Sequence, residues 1–321
     1  TIAARGSNVG FTALRKEPYY PIIRLLSLVP KKNLLDVNYL YYSLKHNRQT
    51  GIGSGQPQIT IPDISNRKIS LPPIHTQKKV SEILSYLDEK IELNNKINDE
   101  LEAMAKLIYE YWFIQFDFPG SNGKPYKSSG GRMVFNKNVN REIPKDWNTI
   151  PVSSLLNIKT GKEDANFATS NGEYPFFTCG EKILKCENYA FEGKAVLLAG
   201  NGTFGIKRYM GKLNAYQRTY VLIPNDESNF SHIFFAVKAQ TQQLTDGSRG
   251  SIVKFITVGD IANINLVLPP NPSVCSAELL NNIFDRSDAL NKENEELAKF
   301  RDWLLPMLIN GQVTVTDADT G

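Results

Sequence analysis

The chain has 321 residues, of which 41% are hydrophobic and 22% charged, a composition typical of a folded protein with room for two domains. Its formal net charge of +4 allows a nucleic-acid partner without indicating one. The three cysteines have neither the even number of a disulfide framework nor the spacing of a zinc site, so we expect structural thiols and a cytoplasmic location.

One pattern occurs nearly twice along the chain. The stretch Gln58–Ile74 is similar to Lys254–Asn271, and the paired landmarks share an offset of 197 residues (63 to 260). In each copy a strand-rich region ends at a Pro-Pro pair and a long polar helix follows. The sequence therefore predicts an α+β fold with two mixed, strand-rich domains and two long helices.

We expect six segments. Residues 1–75 are the C-terminal part of a first strand-rich domain, which we expect to be truncated at its N-terminus, and residues 143–272 are the whole second domain. The long helices cover 76–116 and 273–310. Residues 117–142 are rich in Gly, Ser, Pro, Asn and Lys, which predicts a solvated linker, and residues 311–321 form a tail.

Both long helices carry apolar residues at steps of three and four, the period of a coiled-coil seam. In the first helix the stripe includes Ile97 and Met104 and is interrupted by Asn94 and Asn98. A buried Asn in such a seam fixes register at a cost in stability. The predicted interface residues are Leu87, Ile91, Asn94, Leu101, Ile283, Leu290, Leu297 and Leu304.

The glycines Gly200, Gly202 and Gly205 have the spacing of a dinucleotide-binding fingerprint. That fingerprint must follow a strand and open a helix, whereas the residues after Gly205 have the alternation of a strand. In the first repeat, Arg5, Ser7 and Gly10 align with the three glycines. We therefore expect a tight turn between two strands, with a nucleotide-dependent enzyme as a minor alternative.

No pattern of catalytic or metal-ligating residues stands out. The three histidines are His46, His75 and His232, and we expect His75 at a helix start and His232 packed in an apolar helix. No zinc-protease motif and no complete phosphate-binding loop is present. The sequence therefore predicts a protein without catalytic residues or a metal site.

Basic and amide side chains recur around the predicted turns of both units. Arg, Lys, Gln and Asn are the side chains that contact phosphates and read base edges, although any one of them is more often a solvated surface group. The candidate DNA-binding residues are Arg5, Asn8, Arg15, Lys16, Arg48, Gln56, Gln58, Lys159, Lys162, Lys207, Arg208, Lys212, Arg218, Arg249 and Lys254.

Together these features resemble the specificity subunit of type I restriction–modification systems. The resemblance lies in "IPKDWNTIPVSSLLNIKTGK" (143–162), "LLAGNGTFGI" (197–206) and "GSRGSIVKFITVGDIANINLVLPP" (247–270), and in "IAARGSNVG" (2–10) and "GSGQPQITIPDISNRKISLPPIHTQKKV" (53–80). The family usually has Glu-Gln before each long helix, whereas this chain has Thr76-Gln77 and Ser276-Ala277.

The resemblance implies a non-catalytic, DNA-binding subunit. Each strand-rich domain would read one half of a split DNA site, and the helices would pair antiparallel to set the spacing. Two methylation subunits and a restriction subunit would be its partners. S-adenosylmethionine, ATP and Mg²⁺ would bind those partners and not this chain. A homodimer would complete a truncated first domain. The alternative is a coiled-coil scaffold that does not read DNA.

Overall fold

The computed structural model describes residues 1–48, 51, 57–202, 204–246, 255–270 and 277–315. The chain divides into two compact units. Unit 1 comprises Thr1–Ile97 with Leu290–Gly321, and unit 2 comprises Asn98–Ala289. The mixed α+β fold predicted from the sequence is confirmed.

Unit 1 has few strands and is mostly helical. Strand β1 (Ile2–Ala3) pairs antiparallel with β2 (Leu25–Leu26). Helices α1 (Val37–His46) and α2 (Ile61–Ser65) follow, and the long helix α3 (Ile74–Tyr109) begins in this unit. The main core cluster of unit 1 packs α1 and α3 against α6, and its buried members are Tyr39, Tyr42, Val80, Leu84, Leu305, Leu308 and Ile309.

Unit 2 begins with the end of α3 and a short π-helix over Glu110–Ile114. Its strands are β3 (Met133–Asn136), β4 (Arg141–Pro144), β5 (Asn148–Pro151), β6 (Leu156–Thr160), β7 (Tyr174–Phe177), β8 (Leu184–Cys186), β9 (Phe191–Ala199), β10 (Ile206–Ala215) and β11 (Thr219–Pro224). After them come α4 (Phe230–Asp246), α5 (Val258–Ala262), β12 (Asn265–Leu268) and the long helix α6 (Ala277–Ile309), which ends in unit 1.

The centre of unit 2 is a six-stranded sheet in the order β6-β11-β9-β10-β7-β8. Successive residues of a strand point to opposite faces, so β9 divides its apolar side chains between two clusters. Val196 and Leu198 pack with α4, α3 and α6, while Ala195 and Leu197 pack on the other face with Phe177 and Val221. The larger cluster holds the sheet against the helices.

In each unit a buried amide side chain of a long helix bonds the start of another helix, α1 in unit 1 and α4 in unit 2. In unit 1, Asp36 N donates to Gln77 Oε1 at 2.9 Å, and Gln77 Nε2 donates to the carbonyl of Leu34 at 3.0 Å. In unit 2, Ser231 N donates to Asn281 Oδ1 at 3.1 Å. A buried amide satisfies backbone groups that a helix terminus otherwise leaves unpaired, so α1 and α4 are each anchored to a long helix.

The two long helices pack antiparallel within each unit. In unit 1, Asn94 Nδ2 donates to Glu293 Oε2 at 3.0 Å and to Asn294 Oδ1 at 2.9 Å, and Arg301 reaches back to Asp88. In unit 2, residues of both helices share the large core cluster. Of the predicted interface residues, Leu87, Asn94, Ile283 and Leu290 are buried, and Ile91, Leu101, Leu297 and Leu304 are half-buried.

The seam of α3 differs from the predicted stripe at two positions. Ile97 and Met104 lie on the exposed face, whereas Asn98 and Ala105 are buried. The seam thus continues from Asn94 through polar and small residues, because steps of three and four from Asn94 reach Asn98, Leu101 and Ala105. The prediction placed Asn94 and Asn98 in the stripe correctly, but it chose the large Ile97 and Met104 over the small Ala105.

The solvated linker expected over 117–142 is instead part of the folded core. Strand β3 lies within it and forms an antiparallel hairpin with β4, which begins at Arg141. Phe118 is buried, with its ring 4.8 Å from that of Trp147 and 4.7 Å from that of Tyr126. The Gly and Ser residues belong to tight turns, whereas the few aromatic residues between them bury enough surface to order the segment.

The predicted helix boundaries also shift. The first helix begins at Ile74 and passes into the π-helix at Glu110, whereas the prediction was one helix over 76–116. The second helix is described from Ala277 to Ile309, and the start predicted at 273 lies outside the described residues. Pro306 falls within the last turn of α6, which ends three residues later.

Candidate nucleic-acid interface

The glycine-rich stretch forms a tight turn between β9 and β10, as the sequence predicts. Gly200 N donates to the carbonyl of Arg218 at 2.8 Å, and a Cβ at this position would lie 2.7 Å from that oxygen. Gly202 has a φ of +76°, a region that favours glycine. Because β10 begins at Ile206, no helix N-terminus follows the glycines, and the dinucleotide-fingerprint alternative is wrong.

Hydrogen bonds gather several turns of unit 2 at one end of the sheet. Ile256 N donates to the carbonyl of Gly200 at 3.0 Å, and an isolated β-bridge joins Asn201 to Phe255. Tyr220 Oη donates to the carbonyl of Ile256 at 2.7 Å. Thr160, Gly200, Asn201, Gln217, Arg218, Tyr220, Phe255 and Ile256 line a cleft of about 360 Å³. We call these eight residues the unit 2 turn cluster.

Three of the predicted cations lie at or beside this cluster with exposed side chains. Arg218 belongs to it, and Lys162 adjoins it because Glu163 forms a β-bridge with Tyr216. Lys159 is paired with Val221, so its side chain is on the face of the sheet opposite the helices. Lys159, Lys162 and Arg218 thus all have exposed side chains within or next to this end of the sheet.

Lys207 is at the start of β10, on the same face as Leu197. Its Nζ donates to the carbonyl of Gly180, and burial lowers the pKa of the ammonium group. The side chain borders a cavity of about 160 Å³ that Cys179 and Thr178 also line. The ammonium group of Lys207 thus makes a hydrogen bond within unit 2, while the side chain as a whole is only half-buried.

Arg208 is a structural residue, which corrects its assignment as a DNA contact. The alternation of β10 turns it to the face opposite Lys207, toward α6, where its side chain is only 8% exposed. Its guanidinium pairs with the carboxylate of Asp288 and donates to Ser287 Oγ at 2.8 Å. Its Cζ lies 4.4 Å from the ring centroid of Phe284. These contacts tie the sheet to the helix and leave no free donor face for a phosphate.

Lys212 lies well away from the turn cluster. Five residues of extended strand separate it from Lys207, about 17 Å at 3.3 Å per residue. Its Nζ is 4.6 Å from the ring centroid of Tyr189, which raises the pKa of the ammonium group, with a smaller contribution from Glu192. The structure does not bring this candidate together with the others.

Unit 1 contains a turn of the same construction. Ile59 N donates to the carbonyl of Ala4 at 2.8 Å, a β-bridge joins Arg5 to Gln58, and Gly6 has a φ of +92°. Gly200 therefore corresponds to Ala4, and Gly202 corresponds to Gly6. The sequence alignment that paired Gly200 with Arg5 is wrong by one residue, because the two loops differ in length on their far side.

Identical capping boxes follow both turns. Asp63 Oδ2 accepts from Thr60 N at 2.7 Å and from Thr60 Oγ1 at 2.6 Å, and Asp260 Oδ2 accepts from the same two groups of Thr257 at 2.8 and 2.7 Å. These hydrogen bonds lower the pKa of both carboxyl groups. The boxes start α2 and α5, so each turn is held against a short, well-capped helix.

The remaining candidates of unit 1 divide into two groups. Asn8 is exposed beside the turn, and Arg48 Nη2 donates to the carbonyl of Val9 at 3.2 Å. Arg15 and Lys16 instead line a cleft of about 1040 Å³ together with Asp88, Glu89 and other acids of α3, and Lys16 Nζ lies 3.6 Å from Glu89 Oε1. Carboxylates so close would repel a phosphate. Gln56, Arg249 and Lys254 lie outside the described residues.

The histidines take packing and surface positions. His75 lies in the first turn of α3, as expected. His232 is 4% exposed, with its ring 4.2 Å from that of Phe113, and burial lowers its pKa to about 4.

Over the described ranges, no group of three His, Cys, Asp or Glu side chains is arranged to hold a metal. None of the helices in those ranges has both the length and the apolar character needed to cross a bilayer.

The two turns lie in segments that match one family of known proteins. Residues 1–103 and 144–299 fit the model of the type I restriction modification DNA specificity domain. The chain belongs to this family. The match covers both repeats, so the resemblance noted in the sequence is confirmed, and the family favours DNA specificity over a coiled-coil scaffold.

Curated relatives carry the same description. The chain is 38% identical over 179 residues to the type I restriction enzyme EcoDI specificity subunit of Escherichia coli, a match to 54% of this chain and 40% of that protein. It is 24% identical over 340 residues to the MjaIX specificity subunit of Methanocaldococcus jannaschii, covering 96% of this chain and 76% of the relative. The first match spans less than half of the relative.

A solved structure shares the fold. The S subunit of a type I restriction–modification system from M. genitalium aligns with a TM-score of 0.60 at 16% sequence identity. The alignment covers 98% of this chain and 83% of that one. At this identity the likeness concerns the fold of the specificity-domain protein and not its individual contacts.

Two residues of the turns have no signal of their own in the sequence. Asn201 lies inside the glycine pattern, and Phe255 is neither basic nor an amide. The offset of 197 residues places Phe255 opposite the candidate Gln58, a signal that could have found it.

Proposed function

We propose that this chain is the non-catalytic DNA sequence-specificity subunit of a type I restriction–modification complex, with each unit reading one half of a bipartite site. The observation that carries the proposal is the repeated turn, bridge and capping box in a chain whose two repeats both match the specificity-domain family. A cytoplasmic location, with DNA as the target, is part of this proposal.

The exposed cations would supply affinity without sequence preference. Lys159, Lys162 and Arg218 would contact phosphates beside the unit 2 turn cluster. In unit 1 Arg48 would do so, with the neutral amide of Asn8 as an additional hydrogen-bond donor. Phosphate contacts orient a protein on the duplex, whereas contacts to base edges select the sequence. Two tethered readers also gain effective concentration, because binding of one half-site holds the other reader near its own.

The long helices would set the spacing of the half-sites and dock two methylation subunits. Support comes from large apolar side chains that remain exposed on the helices. In unit 2 these include Leu107, Met104 and Ile114, and in unit 1 Phe300 stacks on Trp303 with ring centroids 5.9 Å apart while both stay about half exposed. Exposed aromatic and aliphatic clusters are typical of protein-interaction surfaces.

The partners would carry the chemistry. We place S-adenosylmethionine on the methylation subunits, and ATP and Mg²⁺ on the restriction subunit, following the resemblance. The chain itself would bind none of them. A symmetric dimer of this chain is a second possible assembly, and it would contain two copies of each reading unit. The mass of the purified complex distinguishes this dimer from one copy of the chain with two methylation subunits.

The test is DNA binding by the chain assembled with its methylation subunit. We expect salt-sensitive binding that prefers one bipartite sequence, and the methylated sites of a host carrying the system should show the same sequence. An assembly that binds its partner but treats all duplexes alike would contradict the proposal and support the scaffold.

A further inference from the structure

We infer that the cross-strand pair at each turn selects the bases: Arg5 with Gln58 in unit 1, and Asn201 with Phe255 in unit 2. This inference rests on the proposed function and deepens it, because it assigns sequence choice in each half-site to two named side chains.

The frame around the two pairs is the same. Each pair forms an isolated antiparallel β-bridge, and a positive-φ glycine directly follows its first residue. A buried isoleucine directly follows its second residue and donates its amide to the turn carbonyl. The Thr-Asp capping box begins at the next position. Ile59 is 4% and Ile256 5% exposed. The buried parts of the motif thus repeat closely.

The residues at the bridge differ between the repeats. Arg5 and Gln58 are both polar and exposed, whereas Phe255 is a 73% exposed aromatic beside a half-buried Asn201. Stability gains little from an aromatic ring left in water. Phe255 borders the same cleft as Gln217 and Arg218, so the ring lies where a DNA backbone held by the neighbouring cations would place base edges.

The side-chain chemistry predicts different preferences for the two half-sites. Arg pairs with the O6 and N7 acceptors of guanine, and Gln or Asn pairs with N6 and N7 of adenine. Phe contacts the methyl group of thymine. We therefore expect guanine and adenine under the unit 1 pair, and adenine and thymine under the unit 2 pair.

The geometry suits two neighbouring base pairs. Side chains directly opposite across a β-bridge have Cβ atoms about 4.5–5.5 Å apart. The rise between bases along one strand of B-DNA is about 3.4 Å. Two side chains at this separation can therefore contact adjacent steps of one groove, and the rigid bridge fixes which of them reaches which step.

The experiment exchanges the pairs in the full chain assembled with its methylation subunit. One variant carries Asn201→Arg with Phe255→Gln, and the other carries Arg5→Asn with Gln58→Phe. Each is selected against DNA libraries in which one half-site is randomised. We expect the preference to change at one or two positions of a single half-site, with a 5- to 150-fold change in discrimination there, and no change in the other half. Lys159→Ala is the matched control and should weaken all sequences equally.

The outcomes separate this inference from the proposed function. If the wild-type complex is selective and both exchanged variants keep its preference in both half-sites, the inference is overturned and the proposed function stands. If the wild-type complex shows no preference, both fall. Should an exchanged variant not fold, the single changes Phe255→Gln and Gln58→Phe decide the question, because both side chains are exposed and their replacement alters little packing.

Discussion

The guanidinium of Arg208 lies over the ring of Phe284, with Cζ 4.4 Å from the ring centroid, and it also pairs with Asp288. A cation that the sequence suggests for DNA binding is therefore part of the joint between β10 and α6. Burial raises the pKa of Asp288, and the nearby charge of Arg208 opposes that rise.

We expect Arg208→Met to destabilise unit 2 and leave DNA binding unchanged. Methionine keeps contact with Phe284 but leaves the Asp288 carboxylate partly buried without its partner, a loss of about 2–4 kcal/mol in the free energy of unfolding. Adding Asp288→Asn should restore part of this loss. Urea unfolding measures the change in the free energy of unfolding, and a salt titration of DNA binding shows whether a phosphate contact is lost. A shallower salt dependence in the folded Arg208→Met variant would show that Arg208 contacts phosphate after all.

The double change Lys159→Ala with Lys162→Ala should weaken DNA binding and leave the stability of the protein unchanged. Each lysine that neutralises a phosphate contributes about 0.9 to the slope of log K against log salt, so the slope should become shallower by about 2. Affinity should fall for every sequence by the same factor, and stability should stay within about 0.5 kcal/mol because both side chains are exposed. Lys212→Ala is the control on the same sheet, and a loss of slope as large in that variant would refute the assignment.

His232 should make the protein less stable in mild acid. Burial lowers its pKa to about 4 in the folded state, below the ordinary value of 6.5, so the folded protein resists a proton that the unfolded chain accepts. The stabilisation is complete above pH 6.5 and is lost as the pH falls from 6.5 toward 4, by up to about 3 kcal/mol.

The variant His232→Phe should flatten this pH dependence, because the ring keeps its aromatic neighbours and no longer titrates. Unfolding by urea at pH 7.0, 6.0 and 5.0 gives the comparison. His75→Gln, on the exposed start of α3, serves as the control and should behave like the wild type. An unchanged pH dependence in His232→Phe would assign the effect to another group.

Asn94→Leu should stabilise the helix pair of unit 1 by about 1 kcal/mol. Asn94 is fully buried, and its Oδ1 has no hydrogen-bond partner among the described residues, while Glu293 and Asn294 can turn to solvent when its donors are removed. A buried Asn in a seam costs stability and fixes register. The urea midpoint tests this. Asn95→Leu is the comparison: it removes only the exposed hydrogen bond that Asn95 Oδ1 accepts from Asn294 Nδ2, and a change within about 0.5 kcal/mol is expected. A lower midpoint in Asn94→Leu would show that its two hydrogen bonds outweigh the unpaired oxygen.

Local patterns predicted much of the fold. The steps of three and four residues indicated both long helices, and the alternation after Gly205 indicated β10 because each pattern depends only on neighbouring residues. The burial of Phe118 and the pairing of β3 with β4 were missed, since composition reports the frequency of turn residues and not the partners that a few aromatics find.

The site was harder to predict for a similar reason. Charge type made Lys159, Lys162 and Arg218 candidates, and this stays a prediction. Nothing local distinguishes Lys207 from Arg208 except which face of β10 meets a helix more than 70 residues away. Phe255 has no charge, and only its place opposite Asn201 in the folded unit makes it a candidate for base contact. The burial of Asn98 agrees with its predicted place in the stripe, whereas Ala105 was left out of it in favour of the larger Met104, which is exposed.

The division of the chain has a consequence for synthesis on the ribosome. Unit 1 is completed by residues from 290 onward, and the contact of Asn94 with Asn294 joins positions 200 residues apart. At a translation rate of about 5–20 residues per second, the first part of α3 waits about 10–40 s for its partner helix. During that interval Val80 and Leu84 can pack on Tyr39 and Tyr42 but lack Leu305, Leu308 and Ile309, so the nascent chain exposes part of an apolar helix face to chaperones and to other nascent chains until α6 emerges.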